Sequence, residues 1–129
     1  MKSTKLEWED AEDVKVKIKQ ILKVLDLPHI KEQNIHCYRT EGSKSRAYAR
    51  IWAMPKIFQR ALNLEPHYVI EVLARYYDRL DEDEKSKVVI HVLLHIPNNF
   101  SGALVPHKTK SRHLGKTANK LFEIFKNSV

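Results

Sequence analysis

Val88-Val89-Ile90-His91-Val92-Leu93-Leu94-His95-Ile96-Pro97-Asn98-Asn99-Phe100-Ser101-Gly102-Ala103-Leu104-Val105-Pro106-His107 is the stretch whose reading decides the fold. Two histidines, His91 and His95, stand inside an otherwise apolar run. On an α-helix, positions i and i+4 share one face with Cβ atoms roughly 6 Å apart, so two imidazoles there can converge on one ion. Upstream, Asp81 can cap a helix, and Glu84 completes a capping-box pattern. The pattern predicts a helix from there to about Ile96, because Pro97 disfavours helical geometry at the residue before it. From Val88 onward nearly every side chain is apolar, so this segment is expected to be surrounded by protein. The histidine pair is then buried or lines a cleft.

Working outward, residues 98–106 read as a loop, and Leu114, Ala118, Leu121, Phe122 and Phe125 mark a final amphipathic helix. On the N-terminal side, residues 68–73 are a β-branched-rich strand preceded by a turn at Asn63-Leu64-Glu65-Pro66. Pro55 can begin a short helix through Leu62, with Ile57, Phe58, Ala61 and Leu62 expected to face inward. Residues 35–40 and 46–54 look like two strands joined by the polar loop Glu41-Gly42-Ser43-Lys44-Ser45. In the second of these, Ala47, Ala49, Ile51 and Ala53 form a small apolar face, while Arg46, Tyr48, Arg50, Trp52 and Met54 form a larger, partly charged one. Residues 9–27 read as an amphipathic helix with Ala11, Val14, Ile18, Ile21, Leu22 and Leu25 on one stripe. Acid at Glu9, Asp10, Glu12 and Asp13 suits its positive end, and Pro28 stops it. The run Val14-Lys15-Val16-Lys17-Ile18 also alternates with period two, but the longer pattern favours helix.

With 129 residues, 43% hydrophobic and 30% charged, the chain has the length and balance of a single globular domain. The lone Cys37 cannot form an internal disulfide, which fits a reducing compartment. The opening residues, Met1 to Glu7, carry no apolar signal-peptide core, and the longest apolar run is too short to span a bilayer. A soluble, cytoplasmic protein with no membrane partner is the expectation. The net charge of +7 predicts weak affinity for polyanions rather than a function. Lysines and arginines cluster at Lys44, Arg46, Arg50, Lys56 and Arg60, and again at Lys108, Lys110, Arg112, Lys116 and Lys120.

Seven histidines in 129 residues make a chance pair four apart about one in three, so the spacing alone is a weak signal. Burial strengthens it, since each imidazole then needs a hydrogen-bond partner or a metal. A third donor would complete a tetrahedral zinc site with one open position. His107 is the best placed, because the chain can reverse after Pro97 and the loop is long enough to return; His113 is a weaker alternative. Against this stands a purely structural role, with His91 and His95 bonded to backbone carbonyls or to a carboxylate such as Glu71. His29, His36 and His67 are expected to be ordinary surface or half-buried residues.

The spacing of His91 and His95 is that of the zinc-peptidase helix His-Glu-x-x-His, whose glutamate is the general base. Taken with Ala49-Arg50-Ile51-Trp52-Ala53-Met54-Pro55, Pro66-His67-Tyr68-Val69-Ile70-Glu71-Val72, Phe100-Ser101-Gly102-Ala103-Leu104 and Pro106-His107, the chain over about residues 46–113 resembles a family of small metallopeptidases of archaea, bacteria and phages. That family's helix reads His-Glu-Leu-Leu-His-Ile-Pro. The resemblance implies an α+β, zincin-like fold: a small antiparallel or mixed sheet of about three strands beside a buried metal-binding helix, flanked by N- and C-terminal amphipathic helices. It also implies zinc ligation by His91 and His95, with His107 as third ligand. The catalytic glutamate does not carry over, because Val92 occupies its place.

A valine can neither take up nor pass on a proton, a contribution typically worth about 10² to 10⁴-fold in rate. The primary expectation is therefore a zincin-like metal-binding protein with normal peptidase activity lost, for which binding an extended peptide along a strand edge is a role that needs no glutamate. A three-histidine zinc could still support slow hydrolysis, so an active hydrolase using another base, Glu71 for instance, is the second reading. The third is a basic nucleic-acid-binding module, from Tyr48 and Trp52 interleaved among Arg46 and Arg50. No helix-turn-helix, zinc-finger or ribonucleoprotein motif accompanies it.

Overall fold

The structure, a computed structural model, describes residues 5–106 and 114–128. Its sheet is built around β4 (Tyr68–Leu73), which is buried at every position but Val69. A strand this apolar is most stable at the centre of a sheet, with a neighbour on each side. On one side it pairs in parallel with β2 (Ile35–Glu41), and on the other it pairs antiparallel with β3 (Ala49–Trp52). β1 (Glu7–Asp10) adds antiparallel to β2, giving the order β1-β2-β4-β3. The fold is α+β with a mixed sheet, as expected, but with four strands rather than three. β2 and β3 are joined by the polar loop yet do not pair, since β4 lies between them.

Helices cover one face of this sheet. α1 (Glu12–Val24) contributes Val14, Ile18 and Ile21 to the core, α4 (Glu82–Leu93) contributes Val89, Ile90 and Leu93, and α5 (Leu114–Asn127) contributes Leu114, Ala118, Phe122 and Phe125. They meet Ile35, Cys37, Ile70 and Val72 from the strands. α1 begins later than its acidic preface suggests: Glu9 and Asp10 belong to the exposed strand β1. Asp81 caps α4 as expected, its side chain accepting the Glu84 N–H at 2.8 Å. A short α3 (Ala74–Tyr77) buries Tyr77. Arg39 on β2 ties Asp13 of α1, at 2.8 Å, to Asp78 after α3, at 3.0 Å.

α2 (Lys56–Leu62) departs from expectation. Ile57, Phe58, Ala61 and Leu62 are exposed rather than turned inward. The helix follows edge strand β3, and among the described residues nothing covers its outer side. Its half-buried residue is Gln59, whose amide donates to the Met54 and Ser101 carbonyls, both at 2.8 Å.

Among the described residues, no core helix packs on the other face of the sheet, which carries a buried carboxylate. Side chains alternate along a strand, so Glu71, between the core residues Ile70 and Val72, points away from the helices. There it accepts the Trp52 indole N–H at 2.8 Å, the Trp8 indole N–H at 3.3 Å, the Thr40 hydroxyl, and Arg50 Nε at 3.0 Å. Burial pushes the Glu71 carboxyl up, but the hydrogen bonds from Thr40, Arg50 and Trp52, with the Arg50 charge, outweigh it and hold the group below the usual carboxylate range. The ionised form therefore stabilises the fold above the ordinary carboxylate pKa, and this contribution is lost as pH falls through the lowered native value. Glu71→Gln is expected to reduce the unfolding free energy by about 1–3 kcal/mol at pH 7, discounted for the partly solvated Arg50. In urea titrations the gap to wild type should narrow as the pH falls through the acid range; a gap that does not change with pH contradicts the assignment.

Candidate metal centre

α4 ends at Leu93, short of the expected Ile96. Over the next residues the chain tightens into three-residue turns, His95 N donating to Val92 O and Ile96 N to Leu93 O, both at 3.1 Å. Pro97 lies immediately beyond, where continued α-geometry is disfavoured. His91 is thus on the last turn of α4 and His95 just past it. Their ring centroids are 5.4 Å apart with an interplanar angle of 37°. The Nε2 of His91 is enclosed, and His95 as a whole is buried.

The loop after Pro97 returns to His95 and binds it twice. Val105 N donates to His95 O at 2.7 Å, and His95 Nδ1 lies 2.5 Å from Val105 O. A carbonyl oxygen can only accept, so Nδ1 must carry the proton. A neutral His95 then has its lone pair on Nε2, the arrangement by which a carbonyl orients a metal-ligating histidine.

Several residues hold that return path. Tyr68, buried on β4, accepts the Gly102 N–H at 2.9 Å and donates to Ala103 O at 2.8 Å. Met54 N donates to Gly102 O at 2.8 Å. Gly102 has φ +92°, and a Cβ there would meet Met54 O at 2.4 Å, so both the conformation and the approach require glycine. Phe100, at φ 46°, is buried edge-on against Tyr68 with centroids 5.0 Å apart.

Beside the pair lies a cleft of about 580 Å³ between α4, α5 and β3. Ala49, Ile51, Val88, Val92 and Ala118 make its walls apolar, and His91 and His95 open onto it. No aspartate or glutamate is among its described lining residues. Glu71 is on the opposite face of the sheet and already engaged, so it serves neither as partner to these histidines nor as a base beside them.

Of the three expected ligands, the structure brings His91 and His95 together. His107 and the alternative His113 lie outside the described residues. Among the described residues no group of three or more histidine, cysteine, aspartate or glutamate side chains gathers at a point. His36 and His67 are half-buried, as expected, and they also meet each other. Their rings stack at 5.1 Å, with His36 Nε2 and His67 Nδ1 2.9 Å apart, and burial, then the His67 and Lys15 charges, push His36 down. Nothing local in the sequence announces that pair, because it forms across parallel neighbours. Tyr68 and Gln59, which brace the loop, were equally silent.

An α+β fold with a histidine pair at the end of a buried helix, opening on an apolar cleft, is the architecture of a metallopeptidase-like protein. The chain belongs to the family described as "Putative phage metallopeptidase", whose model matches residues 6–124. A metallopeptidase family implies a metal cofactor. No curated protein and no solved structure matches the chain. The donor set fits such an ion in part: two imidazoles on one cleft wall, one with its tautomer fixed for ligation through Nε2.

Long-range ¹⁵N–¹H correlation spectra of metal-free protein above pH 7 should show His95 protonated at Nδ1 and bare at Nε2. Protonation at Nε2 contradicts the assignment.

Proposed function

We propose that residues 1–129 act as one zincin-like metal-binding domain in which His91, His95 and His107 hold a single zinc ion and normal peptide hydrolysis has been lost. The observation that carries this is the bond from His95 Nδ1 to Val105 O, which presents Nε2 as a donor. Support for His107 comes from chain connectivity: it follows Val105 by two residues, a span of at most about 7 Å. When bound, the ion supplies Lewis-acid polarisation of a carbonyl.

The rest of the chemistry depends on the chain's own side chains. Val92 lines the cleft where the family has its glutamate, and its methyl groups cannot accept a proton or deliver one to a leaving amine. Orientation of a ligand remains possible without that step. The edge strand β3 borders the cleft, and an extended peptide can pair with such an edge through its main chain while Ala47 and Ala49 leave room for its side chains. We take the setting to be cytoplasmic, supported by the buried, unpaired-in-disulfide Cys37, whose thiol burial pushes up to about 12.

Neither other function is favoured by a specific observation. A hydrolase with a replacement base lacks a carboxylate on the described cleft walls, and Glu71 faces away from it. For nucleic-acid binding, Arg50 and Trp52 are both committed to Glu71, and Tyr48 packs edge-on against Tyr76.

Untagged protein stripped with chelator and titrated with zinc should bind one ion per chain, and His95→Ala should weaken binding by about 100-fold or more. Failure of wild type to bind contradicts the proposal. In zinc-loaded protein, Val92→Glu should raise peptide hydrolysis by about 10² to 10⁴-fold over the parent. No gain would mean that the cleft no longer orients a scissile bond.

A further inference from the structure

An amphipathic helix ordinarily buries its apolar stripe, and α2 does the reverse. Ile57 is 69% exposed, Phe58 55% and Leu62 60%, with Leu64 at 47% and Trp52, at the end of β3, at 53%. Positions 57, 58, 61 and 62 fall on one side of a helix, so these side chains form a patch rather than scattered exposures. The charge around them has one sign. From Lys44 to Leu64 the sequence holds five cations, Lys44, Arg46, Arg50, Lys56 and Arg60, and no acid. Arg50 is neutralised by Glu71, but among the described residues no carboxylate engages Lys44, Arg46, Lys56 or Arg60.

We propose that α2 and the flanking residues 52–64 form a docking surface for an anionic phospholipid bilayer, with Ile57, Phe58 and Leu62 entering the headgroup boundary and Lys56 and Arg60 meeting lipid phosphates. Charge complementarity selects this occupant. Nucleic acid would satisfy the cations and could stack on Phe58, but it offers nothing to Ile57, Leu62 and Leu64. A symmetric second copy would satisfy the apolar stripe but would bring two copies of the same cationic patch together. A bilayer supplies diffuse negative charge over a hydrocarbon layer, and Trp52 is a residue type that favours the region between them. No helix among the described residues is long and apolar enough to cross a membrane, so the contact lies on the surface. With only one short helix involved, neither insertion nor charge attraction suffices alone; the association is reversible and salt-sensitive.

The test is co-sedimentation of the full, untagged chain with vesicles of phosphatidylcholine alone or mixed with phosphatidylglycerol, at low and physiological salt. Binding should require phosphatidylglycerol and fall with salt. Ile57→Asp/Phe58→Asp should weaken it by about tenfold or more, and Lys56→Glu/Arg60→Glu should do the same while flattening the salt dependence. All four positions are exposed, so circular dichroism should remain that of wild type. The proposal is overturned by absence of binding, by equal binding to both vesicle types, or by either double variant binding as wild type does. It is also overturned if the chain binds a single-stranded oligonucleotide, or forms a dimer that Phe58→Asp disrupts, while ignoring vesicles.

Discussion

The pair of hydrogen bonds between His95 and Val105 ties the loop after Pro97 to the end of α4. Without it, His95 would be one imidazole at a frayed terminus, free to choose either tautomer. With it, the ring is held by a carbonyl that can only accept, and the segment leading to His107 is drawn back over α4. The return requires two residues at positive φ, Phe100 and Gly102, and a buried tyrosine whose hydroxyl both accepts and donates along the loop. Pinning of this kind matters for a metal site, because ligands held by the surrounding fold need not be ordered when the ion arrives.

The sheet divides the protein into two chemical regions. On the helix side, β4 and β3 present apolar residues to the core and the cleft, and His91 and His95 line that cleft together with Lys87 and Asn119. On the other side, Glu71 collects donors from Trp8, Thr40, Arg50 and Trp52, bringing three neighbouring strands and an indole from the far edge into one network. Strand alternation assigns these roles: a one-residue shift of β4 would put the carboxylate into the core and Ile70 on the open face. Belonging to a metallopeptidase family therefore does not give Glu71 a place in catalysis.

Much of this was legible in the sequence. The capped, apolar helix that carries His91 and ends just before His95 announced itself by Asp81, the run from Val88 and Pro97; the central strand by Tyr68-Val69-Ile70; and the two faces of β3 by strict alternation. Local pattern could not show that β4 would separate β2 from β3, since pairing is decided by long-range burial. β1 was hidden because Glu7-Trp8-Glu9-Asp10 is acidic and exposed, and acid before an apolar stripe reads as a helix start. α2 was misjudged on its buried face for a related reason: periodicity reports that a helix has an apolar side, not that anything lies against it. The role of Glu71 was invisible until strands distant in sequence came together.

The most direct test is anomalous diffraction from crystals of untagged protein supplied with zinc, with data on both sides of the zinc absorption edge. One peak should stand about 2.0–2.1 Å from Nε2 of His95 and from nitrogens of His91 and His107. Zinc-soaked crystals in which no anomalous density lies between His91 and His95, with the two rings directed to protein atoms alone, would contradict a metal centre at the end of α4.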